Sequence, residues 1–270
     1  MARLGGGSIN VVERVDTAGG TVIRKSHRSA PPGFFRAEAD GLRALAASGT
    51  PLVVPAVIEC YEDGDAFLVI EDLGDGRRAG DFDARLGVGL AALHRASAPR
   101  FGFDHDNFCG LTPQRNQWTD RWVDFYRDQR LGYQQLLAVE RGRLSPAEAA
   151  RLDRLRAHLG DWIDEPANGP ALIHGDLWSG NVHTTRDGAP ALIDPAVSYS
   201  HREAELGMMT LFGGFSGRVF DAYEDAWPLE PDWRERLPIY ELYHLLNHLN
   251  LFGGGYHGQV MAIVGRFDGS

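Results

Sequence analysis

The sequence predicts an α+β chain in two lobes, a β-rich lobe over residues 1–73 and a mainly helical lobe over residues 74–270. Three observations carry this. Before residue 74, short β-rich runs dominate and surround a single stretch of helical spacing. After Gly74-Asp75-Gly76, leucines and aromatics recur mostly at helical intervals. The chain has 270 residues, 43% apolar and 24% charged, which is enough to bury a full core in one or two globular bodies.

INVVERVDT and TVIRKS flank Ala18-Gly19-Gly20 and predict a hairpin over residues 9–26. The Pro/Gly loop Ala30-Pro31-Pro32-Gly33 leads to a predicted helix over 34–48, with Phe35, Ala39, Leu42 and Leu45 on one stripe. Glu38 falls on that same stripe. A carboxylate facing a core is costly unless it has a partner. ECYED and DAFLVIEDL, joined across Asp63-Gly64, predict a second hairpin. In the C-terminal lobe, residues 84–97 and 115–139 read as helical. Ser145-Pro146-Ala147-Glu148 is a capping box with proline at the first helical position. Two apolar ALI triplets, at 171–173 and 191–193, read as short strands bracketing a polar segment. Helices resume near 201, 216 and 236. No internal repeat or low-complexity tract is present.

The net charge of −10 weighs against nucleic acid or an anionic membrane as the main partner. Cys60 and Cys109 are far apart and lack metal-type spacing, which fits a reducing compartment. No apolar run approaches the roughly 18 residues of a membrane span, and MARLGGGSIN lacks the apolar stretch of a signal peptide. A cytoplasmic location and a monomer or weak dimer are expected.

Lys25 is the one lysine among 27 basic residues. Arginine is a planar fork, whereas lysine is a point charge on a slim stem. A narrow site between phosphates calls for the second. The segment LIHGDLWSGNVHTTRDGAPALIDPA, residues 172–196, supplies a matching set. Asp176 is followed five residues later by Asn181, and Asp194 closes the next apolar strand. The Asp-to-Asn spacing equals that of the kinase catalytic loop H-R-D-L-x-x-x-N. Phosphoryl transfer needs a carboxylate to accept the attacking hydroxyl's proton, and oxygen ligands to hold Mg²⁺ on the phosphates. Asp176 is therefore the candidate base, and Asn181 and Asp194 are the candidate metal ligands. Lys25, at the end of a predicted strand, pairs with Glu38 on the next helix, as a phosphate-contacting lysine does in a protein-kinase-like fold. Gly5, Gly6, Gly7 and Ser8 open the first hairpin and could cradle phosphates with bare amides. His-Gly-Asp replaces His-Arg-Asp, and Asp194-Pro195-Ala196 stands in place of D-F-G. No A-P-E follows, and the arginine that reads activation-loop phosphate is absent. These departures point to a constitutively assembled small-molecule kinase using ATP.

HGDLWSGNV resembles the signature of the fructosamine kinase (ketosamine 3-kinase) family, part of the wider group containing aminoglycoside phosphotransferases and choline kinases. Residues 110–131, 201–215 and 240–256 resemble family segments too, so the resemblance covers nearly the whole chain. It implies ATP-dependent phosphorylation of the sugar 3-hydroxyl of a ketosamine, free or protein-bound, and a part in deglycation. It also places the adenine against the backbone of Glu71, Asp72 and Leu73, and the sugar near Asp176 and Trp178. Family members carry a helix and a first strand before the glycine loop, whereas this chain starts four residues before Gly5. Ser200 and Glu205 stand where Gly and Asp are expected.

Gln114, Asn116 and His201 are further substrate candidates, each with an alternative as a capping or ordering residue. His244 and His248 are four apart on a predicted helix, but apolar neighbours point to packing rather than metal binding. Two other readings stay open, a kinase for an aminoglycoside, choline or another amino alcohol, and a nucleotide-binding pseudokinase.

Overall fold

The computed structural model of the protein describes residues 10–269 together with the backbone of Ala2 and Arg3. The candidate phosphate loop, Gly5 to Ser8, lies outside the described residues.

In chain order the strands and α-helices are β1 (Ala2–Arg3), β2 (Val11–Thr17), β3 (Gly20–Ser26), α1 (Phe34–Ala47), β4 (Val57–Tyr61), β5 (Phe67–Glu71), α2 (Phe82–His94), β6 (Asn107–Cys109), β7 (Thr112–Gln114), α3 (Trp122–Phe125), α4 (Tyr133–Glu140), α5 (Pro146–Ala157), β8 (Ala171–Ile173), β9 (Val182–Thr184), β10 (Pro190–Leu192), β11 (Ser198–Ser200), α6 (Arg202–Leu211), α7 (Gly217–Ala226), α8 (Trp233–Phe252) and α9 (His257–Phe267). They fall into two compact units. The first comprises Met1–Ala96, His174–Val197 and Gly213–Pro228; the second comprises Ser97–Ile173, Ser198–Phe212 and Leu229–Ser270. The division expected at residues 73 and 74 falls inside the first unit, because α2, α7 and the 174–197 segment cluster with the sheet.

The first unit is built on an antiparallel sheet of order β1-β2-β3-β5-β4. β2 and β3 pair from Val11–Ser26 to Thr17–Gly20 around a two-residue turn, as the Ala18-Gly19-Gly20 signal predicts. The stub β1 pairs with Glu13 and Arg14 of β2. Helix α1 packs on β4 and β5 through Phe35, Leu42 and Leu45, all essentially inaccessible to solvent. Burial of each such side chain contributes about 1.5–3 kcal/mol. Helices α2 and α7 cross so closely that a Cβ on Gly87 would run into the Val219 carbonyl. β9 and β10 form a short hairpin, and the isolated parallel bridge Val53–Ala191 joins it to the loop before β4.

The second unit is helical. α6 packs against α8, with Gly207 facing Tyr240. α3 runs through a π-helical stretch, Tyr126–Gly132, into α4. The Ser145 capping box forms as the sequence predicts. Three features differ from the expected elements. Residues 115–121 are not helical; instead β6 and β7 form a hairpin turning at Gly110, φ 60°. The second of the two expected short strands, β10, lies one residue earlier than expected and pairs with β9, while β8 pairs with β11. α9 is an additional helix. Among the described residues no helix is long and apolar enough to cross a membrane.

Candidate active site

Lys25 lies on β3, opposite Val12 and Leu68. Its side chain is buried, and its ammonium is ion-paired with both Glu38 of α1 and Asp194. Burial works against the ammonium, but Asp194 and Glu38 outweigh it and hold the Lys25 pKa above the ordinary lysine value. Burial also raises the Glu38 carboxyl above its ordinary range, with Lys25 pulling the other way. The stripe of α1 predicted from periodicity is the stripe observed, with Glu38 between Phe35 and Leu42 on the buried face. One ammonium between two carboxylates leaves one negative charge in surplus.

The β9–β10 hairpin explains the spacing of the other two oxygen donors. Val182 pairs with Leu192, so Asn181 and Ile193 adjoin at its open end, and the Ile193 N–H donates to the Asn181 carbonyl at 3.1 Å. Asn181 thus enters the hairpin and Asp194 leaves it. The Asn181 Nδ2 donates to the Asp176 carbonyl at 2.7 Å. A carbonyl can only accept, so the amide orientation is determined and Oδ1 is turned away from that bond. Asp194 adopts φ 57°, a left-handed conformation that aspartate tolerates better than most residues. The Asn181 carboxamide oxygen and the Asp194 carboxylate are hard oxygen donors beside a surplus negative charge. Such a set suits Mg²⁺.

Asp176 is half-buried in the loop that follows β8. Its position is set by His174, whose ring is fully buried. The Asp176 N–H donates to the His174 Nδ1 at 3.3 Å, which puts the imidazole proton on Nε2, and Nε2 donates to the Ile193 carbonyl at 2.8 Å. The Ala196 N–H donates to the His174 carbonyl at 2.8 Å. The loop bearing the base and the strand end bearing Asp194 are therefore tied together. Gly175 sits between them at φ 83°, and a Cβ there would run into the Ala196 carbonyl. This is the physical reason for His-Gly-Asp where the kinase loop has His-Arg-Asp. Trp178 is 42% exposed, and its indole lies over Gly180, where a Cβ would collide with the ring.

At the expected adenine segment, Glu71 and Asp72 brace the backbone with their side chains. The Glu71 carboxylate accepts from the Ala56 N–H at 3.2 Å. Asp72 accepts from the Gly74 N–H at 3.0 Å and is ion-paired with Arg14 of β2 at 2.8 Å. The Leu73 carbonyl accepts from the Arg186 N–H at 2.9 Å.

Gln114, Asn116 and His201 belong to the second unit, each in a buried setting there. The Asn107 Oδ1 accepts from Gln114 at 2.8 Å and from Asn116 at 2.9 Å. Tyr243 donates to Gln114 at 2.7 Å, and Arg130 donates to Asn116 at 2.9 Å. His201 caps α6 by accepting from the Glu203 N–H at 3.1 Å, with Trp122 and Tyr240 against its ring. These partners hold all three side chains in place inside their unit. His244 and His248 are histidines of the α8 core, with His248 Nδ1 donating to the His244 carbonyl at 2.8 Å. Burial, with His248 and Arg130 nearby, pushes His244 down to about 3.

The sequence reading did not assign the orienting role of His174, although its place two residues before Asp176 signals it.

A family model described as fructosamine kinase matches residues 1–267. The chain belongs to the fructosamine kinase family. A protein of Synechocystis described as a probable ketoamine kinase is 44% identical over 86% of this chain and 77% of its own length. A rice (Oryza sativa subsp. indica) protein described as a chloroplastic protein-ribulosamine 3-kinase is 38% identical over 98% of this chain and 77% of its own. The crystal structure described as that of a fructosamine-3-kinase from Thermobifida fusca superposes with a TM-score of 0.87 at 36% identity, covering 99% of this chain and 92% of that one. An aminoglycoside phosphotransferase shares the protein-kinase-like fold alone, at a TM-score of 0.64 and 16% identity over 100% of this chain and 94% of its own.

Proposed function

We propose that this member of the fructosamine kinase family is an ATP-dependent phosphotransferase acting on the sugar 3-hydroxyl of ketosamines, ribulosamine or fructosamine adducts, in a cytoplasmic setting. The observation that carries the reading is the convergence, within one compact unit, of Lys25, Glu38, Asp194, Asn181 and Asp176 in the arrangement that phosphoryl transfer requires. The relatives' names, ketoamine kinase and protein-ribulosamine 3-kinase, support the acceptor class.

In this reading the Lys25 ammonium, held by Glu38, neutralises the α- and β-phosphates of ATP. Asn181 and Asp194 hold Mg²⁺, which when bound neutralises charge on the phosphate oxygens. Asp176, oriented by His174, accepts the proton of the sugar 3-hydroxyl as its oxygen bonds to the γ-phosphorus and the bond to ADP breaks. Trp178 presents an exposed aromatic face for the sugar ring. The Leu73 N–H, which has no hydrogen-bond partner among the described residues, is a main-chain donor for the adenine edge. The phosphorylated ketosamine is expected to break down and regenerate the amine, which makes the reaction a deglycation step.

A substrate panel tests the acceptor. ADP release with Mg-ATP is expected with ribuloselysine or fructoselysine and absent with choline or an aminoglycoside. Turnover on choline or an aminoglycoside alone moves the assignment to that class. Nucleotide binding without turnover on any acceptor moves it to a pseudokinase.

A further inference from the structure

Helix α1 carries Glu38, yet it cannot cap its own N-terminus. The N-cap residue is Gly33, at φ 79°, with no side chain, and no acidic residue stands in the first turn. The first turn of a helix exposes N–H groups that need acceptors. In a capping box, the N-cap side chain accepts from the third helical N–H, and the third side chain accepts from the N-cap N–H. Here one carboxylate from a different hairpin does both. Glu62, the residue just after β4, accepts from the Gly33 N–H through Oε2 at 2.8 Å and from the Arg36 N–H through Oε1 at 2.7 Å. Its negative charge also sits at the positive end of the helix dipole.

The helix secured in this way touches the site at two points. Glu38 is ion-paired with Lys25. One turn further on, Gly41 leaves only enough room for Pro195; a Cβ there would lie 3.1 Å from the Pro195 Cγ. Pro195 follows Asp194 directly. A shift of α1 along or about its axis therefore moves the partner of Lys25 and the support of Asp194 together.

We propose that Glu62 is a positioning residue for the Mg-ATP site, acting through α1 as a helix cap supplied from the β4–β5 hairpin. The proposal rests on the reading of Lys25 and Glu38 as nucleotide-binding groups. Glu62 reaches no phosphate itself in this account; it sets where Glu38 stands.

The test is a double-mutant cycle on Mg-ATP affinity, read by equilibrium binding and by KM for ATP. The variants are Glu62→Ala, Glu38→Gln and both together, with Glu62→Gln as a milder form that keeps one acceptor oxygen and protects against a folding failure. The expected result is an approximately fivefold weaker ATP affinity in Glu62→Ala, the size of a lost helix cap. The loss is smaller in Glu62→Gln, and KM for the sugar is unchanged. In the Glu38→Gln background the further change from Glu62→Ala falls to nearly nothing, because the cap acts through Glu38. Unchanged ATP affinity in a folded Glu62 variant, or full additivity in the double variant, overturns the proposal. If the wild type itself binds no Mg-ATP, the nucleotide-binding reading fails, and that outcome is distinct from a failure of the cap.

Discussion

Two buried cations, one in each unit, share the same exposure of 4% and have opposite surroundings. Lys25 faces two carboxylates, Glu38 and Asp194. Arg130 has no ion-pair partner among the described residues. It donates to the Arg115 carbonyl and to the Asn116 Oδ1, and its guanidinium lies 4.5 Å from the centre of the Phe125 ring. Charge raises the Lys25 pKa against burial, whereas burial lowers that of Arg130. Neutral acceptors and an aromatic face satisfy the guanidinium, so the Arg130 cluster is complete as a structural tie. The Lys25 cluster carries more negative than positive charge in a confined space. That imbalance is costly in an isolated fold and useful where a cation and phosphates are to be received. Burial of a cation alone does not distinguish the two; the count of opposing charges does.

The comparison can be broken at either end. Lys25→Arg keeps the charge but replaces a slim stem with a fork between two carboxylates. We expect kcat/KM for ATP to fall about 10²-fold with the fold intact, because a donor aimed at the phosphates is misplaced. Near-normal kinetics in this variant would show that charge alone suffices at position 25. Arg130→Met should do the reverse. It strands the Arg115 carbonyl and the Asn116 Oδ1, and is expected to cost about 2–4 kcal/mol in denaturant unfolding while leaving Mg-ATP affinity unchanged. A loss of nucleotide affinity without a loss of stability would contradict the structural assignment.

The smallest effect is a pH dependence. His244 is held at about 3 in the folded protein, against 6.5 for the ordinary imidazole. Between those values the unfolded chain binds a proton that the folded chain refuses, so stability falls as pH falls through that window. From pH 7 to pH 5 the loss from this group is about 2 kcal/mol. His248 is lowered too and acts with the same sign. In His244→Asn the urea midpoint is expected to vary less between pH 7 and pH 5 than in the wild type. An equal slope in both proteins would remove His244 from the acid response.

Most of the first unit's site was legible in the sequence because each part is local. Helical periodicity alone puts Glu38 on the stripe of Phe35 and Leu42, and the Asp176–Asn181–Asp194 spacing is that of one loop and one hairpin. The remainder depends on contacts distant in sequence. The cap on α1 comes from Glu62, 29 residues after Gly33, and no local pattern announces it. The three-residue strands β6 and β7 are stabilised by the Asn107, Gln114 and Asn116 side chains rather than by apolar alternation, so 115–121 reads as helix from its aromatic content. The ALI triplets at 171–173 and 191–193 look alike in the sequence, yet β8 (ALI) pairs with β11, and β10 (PAL, ending at Leu192) pairs with β9, because three residues carry too little pattern to specify pairing or bounds. Gln114 and Asn116, polar and near a turn, suggest substrate contact on composition; the bonds to Tyr243 and Arg130 that fasten the hairpin lie far off in sequence and no local pattern announces them.

The most direct test of the account is ADP formation from Mg-ATP with ribuloselysine or fructoselysine in the wild type and in Asp176→Asn, with Mg-ATP affinity measured on both. The account predicts sugar-dependent turnover in the wild type, a fall of about 10²–10⁴-fold in the variant, and equal nucleotide affinity in the two. Undiminished turnover in a folded Asp176→Asn would contradict the assignment of Asp176 as the base and the reading of the loop built around it.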